Sequence, residues 1–198
     1  MSKRLKILIF TGCTLFALLP CNRVLGDSSG HSSWHTLATQ YTIIHYQSLE
    51  DLKKFNRKID YSPDQWGFAR LFSSSDSSNL SGEVAQKVDA VYRRAQEILG
   101  MRKKAAKVNI KIYSDEKELH AAYLNVHEFA YRNYQPAGTV RAWYTHERNT
   151  IYLNKNDLHE GMLAHEMAHS IVDHYLSVRP PRATAEILAR YVDSHLLY

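Results

Sequence analysis

The sequence predicts an α+β domain in which helices pack on a mainly antiparallel sheet. Three observations carry that prediction. Of the 198 residues, 44% are hydrophobic, enough to bury one core. Segments that alternate apolar and polar residues are interspersed with segments whose apolar residues recur at helical spacing. These segments come in the order strand, helices, strand, helix, hairpin, helix, helix, with no internal repeat.

The chain opens on a leader outside that domain. Lys3, Arg4 and Lys6 precede the apolar run Ile7–Phe10, which continues through Leu15–Leu19. This is the charged and apolar pattern of a secretory signal peptide. Val24 and Gly26 stand at −3 and −1, so residues 1–26 are expected to be cut off between Gly26 and Asp27. Residues 27–198 are then one exported domain, periplasmic or extracellular. Membrane attachment is expected only if the leader is retained, although its apolar run is short for a span of about 20 residues, or if Cys21 is lipidated. Pro20, just before Cys21, disfavours the lipid. Cys13 and Cys21 both lie in the leader, so the mature domain has no disulfide framework. Of the 25 bases, Lys3, Arg4, Lys6 and Arg23 also lie there, leaving 21 against 20 acids, a net charge of +1. With no basic stripe interleaved with aromatics, a nucleic-acid partner is not expected.

Within the domain, residues 27–33 are polar and flexible. Tyr41–Tyr46 is β-branched and aromatic, a strand. Asp51–Ile59 reads as a short helix, and the serine-rich run Ser73–Asn79 as a solvated loop. Val84, Val88, Val91, Ala95, Ile98 and Leu99 line one face of a helix over Glu83–Leu99, closed by Gly100. Val108–Tyr113 alternates as a half-buried strand, and Ser114 is placed to cap a helix over Asp115–His127. Tyr131–Gly138 is irregular around Pro136. Val140–Tyr144 and Thr150–Leu153 are two strands joined by a polar turn. Asp157 and Glu160, three apart, have the spacing of a capping box for the next helix. Pro180–Pro181 ends it, and a last helix runs over Thr184–Leu197.

That penultimate helix carries the sequence His165-Glu166-Met167-Ala168-His169. Residues four apart lie one above the other on a helix, so both imidazoles can hold one zinc ion, with the Glu between them placed to act as general base on water. The pattern points to metal-dependent hydrolysis. A third ligand is needed. The extension H-E-x-x-H-x-x-G-x-x-H is excluded, because Val172 and Tyr175 stand at its Gly and His positions. Glu186, beyond the Pro-Pro turn on a helix that can fold back, is the alternative.

Leu163-Ala164-His165-Glu166-Met167-Ala168-His169, followed by Ala185-Glu186-Ile187-Leu188-Ala189-Arg190-Tyr191, resembles the gluzincin (thermolysin-like, peptidase MA) superfamily of zinc metallopeptidases. Glu186, Ala189 and Tyr191 are in register with its E-G-x-A-x-Y motif, and Ile187 replaces the Gly. The resemblance covers roughly residues 138–195. It implies a zincin-like fold, with an edge hairpin against the active-site helix and a following C-terminal helix. It further implies one zinc per chain on His165, His169 and Glu186, Glu166 as the catalytic base, and a peptide or protein substrate. Asp173 and Asp193 are expected to orient the ligands from behind. The backbone of Ala142 and Trp143 is expected to pair with substrate as an added strand. Tyr144, Tyr175, Tyr191 and His195 are candidates for donating to an oxyanion. The other histidines, among them His146, His159 and His174, are expected to be structural or exposed. Only twelve residues follow Glu186, so the cleft is expected to be open on one side or completed by a partner. Two other readings stay open: a non-catalytic binding protein on the same scaffold, and a zinc amidase acting on cell-wall peptides.

Overall fold

The computed structural model describes residues 33–61, 77–127 and 140–197. The leader, most of the serine-rich run and Tyr131–Gly138 lie outside them. Ser32–Tyr198 forms one compact unit. Its elements are β1 (His35–Ala38), β2 (Thr42–Tyr46), α1 (Leu49–Lys58), α2 (Ser77–Leu99), β3 (Val108–Tyr113), α3 (Glu116–His127), β4 (Ala142–Thr145), β5 (Thr150–Asn154), α4 (Glu160–Tyr175) and α5 (Arg182–His195).

The fold is α+β, but the sheet is mixed rather than mainly antiparallel. Its order is β1-β2-β3-β5-β4. β1–β2 and β4–β5 are antiparallel, whereas β2–β3 and β3–β5 are parallel. Parallel neighbours need long crossovers, and the helices α1 and α2, then α3, lie in those connections. The central strands put Ile44, Ile110, Ile112, Ile151 and Leu153 on one face, all fully buried. Helices α1, α2 and α4 cover that face through Phe55, Val88 and Met167 among others, and α5 packs on α4 and α2, adding Ala189 and Val192 to the same core. The opposite face carries a row of rings. Trp34 meets Tyr113 edge-on at 5.3 Å, Tyr152 stacks on Trp143 at 4.6 Å, and Tyr123 of α3 closes on Trp143 at 5.2 Å. No helix among the described residues is long and apolar enough to cross a membrane.

Local signals place most boundaries. Ser48 caps α1 by accepting from the Asp51 N–H. α2 ends in a Schellman motif: Gly100, at φ 65°, donates to Glu97, and Met101 donates to Gln96. α2 also starts earlier than its apolar face, so Ser77–Asn79 is helical rather than loop. The expected caps of two helices move. Asp115, not Ser114, accepts the Glu118 N–H at 2.9 Å at the start of α3. His159, not Asp157, caps α4, its Nδ1 accepting the Met162 N–H at 3.1 Å. Asp157 instead accepts from the Asn154 side chain at 2.8 Å.

Candidate metal centre

α4 buries Leu163, Ala164, Met167, Ala168, Ile171 and Val172 in the core. That packing fixes its rotation and turns the other stripe, with His165 and His169, toward α5. The two imidazole centroids are 5.0 Å apart at 74°. After the Pro180–Pro181 turn, α5 folds back along α4, so that Asp193 lies against Gly161 while Glu186 faces the two histidines. Glu186 Oε2 is 3.6 Å from His165 Nε2, and Oε1 is 3.7 Å from His169 Nε2. One donor atom from each of the three residues falls within 4.8 Å of the others.

These separations are long for hydrogen bonds. They are close to the roughly 3.3–3.5 Å between two donors on one tetrahedral zinc with bonds of about 2.1 Å. Two imidazoles and a carboxylate are also zinc donors by type. Burial holds both imidazoles below the ordinary histidine range, against the opposing pull of Glu186. A neutral imidazole is the form that binds a metal. The three side chains therefore fit a zinc ion by donor type and spacing.

Glu166 is buried, 8% exposed. Burial, and then the charge of Glu186, push its carboxyl up to about 8, while a hydrogen bond from the backbone of Tyr144 opposes the rise. That bond sets Glu166 against the edge of β4. Arg141 C=O accepts from Asn154 N–H across the hairpin. Alternation along an antiparallel pair then turns the polar groups of Trp143 inward to β5, and those of Ala142 and Tyr144 outward. Strand addition through Trp143, expected from the sequence, is thereby corrected. Ala142 keeps an outward edge, and Tyr144 spends its N–H on Glu166. The turn is held to α4 by Asn149, at φ 42°, whose Oδ1 accepts from Ser170 at 3.1 Å and from the Tyr144 hydroxyl at 3.4 Å.

The two aspartates part company. Asp173 pairs with His146 at 3.3 Å and with Arg179 at 3.3 Å, so it joins the hairpin turn to the end of α4. Its bearing on His169 is one of charge. Asp193 reaches across to the first turn of α4. A Cβ on Gly161 would stand 2.1 Å from its Oδ1, so only glycine leaves it room beside His165. Gly161 is therefore a residue near the site that the motif does not announce, although a glycine in a helical pattern is a signal in itself.

Of the oxyanion candidates, the Tyr144 phenol belongs to the Asn149–Ser170 group. Tyr175 lines a small cavity shared with Tyr92, Gln96 and Met101. At 100° per residue, Tyr191 and His195 fall roughly 140° and 180° around α5 from Glu186, and their rings meet at 4.1 Å, tilted by 33°. The last three are away from the ligands. Comparison with protein-family models, curated proteins and solved structures finds no match for this chain.

Proposed function

We propose that this is an exported zinc-dependent peptidase of gluzincin type, hydrolysing peptide bonds with Glu166 as general base. The observation that supports it best is the meeting of His165, His169 and Glu186 from two helices, with Glu166 buried between them and the sheet edge. His165, His169 and Glu186 would hold the ion. When bound, zinc supplies a Lewis acid for the scissile carbonyl and makes water acidic enough to be deprotonated near neutrality.

The chain's own groups do the rest. Glu166 takes the proton from the attacking water and gives it to the leaving amine nitrogen. A divalent cation nearby favours its ionised form, against the burial and the Glu186 charge that now favour the neutral one. The Tyr144 N–H keeps the carboxylate aimed. The outward polar groups of Ala142 on β4 offer a substrate backbone a strand to pair with.

Glu166→Gln should keep zinc at one per chain and lower hydrolysis of a mixed peptide library by at least about a hundredfold. His165→Ala should lose the metal. Metal analysis beside the digest checks both, and peptidase activity surviving in the Gln protein refutes the mechanism. Zinc binding with no cleavage of peptides by the natural protein would favour a binding role. Cleavage of cell-wall peptides alone would favour an amidase.

A further inference from the structure

Glu186 is flanked on its own face of α5 by Arg182, four residues before it, and Arg190, four after. At helical spacing the three form one stripe. α5 folds back along α4, so Arg182 stands toward His169 and Arg190 toward His165, and each guanidinium bears on its histidine by charge. Both arginines are exposed. Neither makes an ion pair among the described residues, although Glu186 and Asp193 lie within one turn of Arg190. The N-terminus of α5 adds to the field. Pro181 at its cap offers no side-chain acceptor, so no side chain of the cap residue offsets the positive end of the helix dipole.

A ligand approaching His165 and His169 thus passes two unpaired cations and a helix N-terminus. We infer that Arg182 and Arg190 form a rim that selects substrates presenting a carboxylate close to the bond to be cleaved. This rests on the peptidase reading for the word substrate, and on the rim alone for the carboxylate. Guanidinium groups bind carboxylates through paired, charge-assisted hydrogen bonds. The carboxylate is either the chain terminus of a peptide or the side chain of an acidic residue.

The test uses fluorescein-labelled alanine-rich hexapeptides in matched pairs, one pair with a free or amidated C-terminus and one with a central Glu or Gln. Dissociation constants are read on the metal-free protein and on the zinc-loaded Glu166→Gln protein, and cleavage on the zinc-loaded natural protein. The acid member of one pair should bind more tightly by roughly tenfold for each arginine engaged, less at high salt. The pair that shows it identifies the source of the carboxylate. Arg182→Gln with Arg190→Gln should erase the difference with an unchanged circular dichroism spectrum, and Lys at both positions should restore part of it. Equal affinities within both pairs overturn the inference. So does a preference that survives the Gln replacements, since a group other than the two arginines would then be taking the carboxylate. Preference without cleavage keeps the rim and removes the peptidase. Cleavage without preference does the reverse.

Discussion

A buried carboxyl that titrates near neutrality makes Glu166 a stability sensor as well as a candidate base. Its folded-state pKa of about 8 lies above its ordinary value of 4.5. The folded metal-free protein therefore holds this proton after the unfolded chain has released it. Stability linked to it is complete below pH 4.5 and falls as pH rises toward 8, at most about 1.4 kcal/mol per pH unit. His165 and His169, lowered from 6.5, act the other way. The unfolded chain binds their protons first, so they cost stability as pH falls below 6.5. Between about pH 6.5 and 8 only the Glu166 slope remains. Denaturant midpoints of the metal-free protein should fall across that window, and Glu166→Gln should flatten the slope. An equal slope in the Gln protein would place the titrating group elsewhere.

Between elements, the decisive contact is the crossing of α4 and α5. Core packing of α4, through residues such as Met167, and of α5, through Ala189 and Val192, brings the ligand stripes face to face. Gly161 then lets the last turns of α5 close on the first turn of α4. In Gly161→Ala the new methyl meets the end of a movable side chain, and alanine is the better helix former by up to about 1 kcal/mol. The helix should hold or gain thermal stability while Asp193 swings out. Zinc affinity should drop roughly tenfold, the usual scale for losing a group that orients a ligand, and Asp193→Ala should match it. Unchanged zinc affinity in both would show that Asp193 does not steady His165.

For the whole molecule, a zinc ion held by His165, His169 and Glu186 would tie α4 to α5. Zinc that binds only the folded chain stabilises it by about 2.7 kcal/mol at a hundredfold excess over the dissociation constant. The thermal midpoint should rise with zinc concentration. Glu186→Ala should remove most of that rise while leaving the metal-free midpoint nearly unchanged, since this side chain is about one-third exposed. Calorimetry with and without zinc decides it.

Much of this was legible beforehand because it is local. Val108–Tyr113 alternates, and its observed burial alternates with it. The two histidines four apart share a helix face by geometry, and Glu186 sits where a returning helix delivers it. β1 escaped because its residues at the sheet margin are mostly exposed and leave no apolar period. The caps moved to His159 and Asp115 because several polar side chains stood within reach of each helix start, and final backbone angles chose among them. The sequence by itself determined most of the elements and the candidate ligand pair on α4, through spacings of two and four that any short window contains. Tertiary structure alone decided that β2, β3 and β5 run parallel, that Ala142 and Tyr144 rather than Trp143 face outward, and that Glu166 is desolvated. Those outcomes depend on which distant surfaces bury one another, and burial is a property of the packed whole.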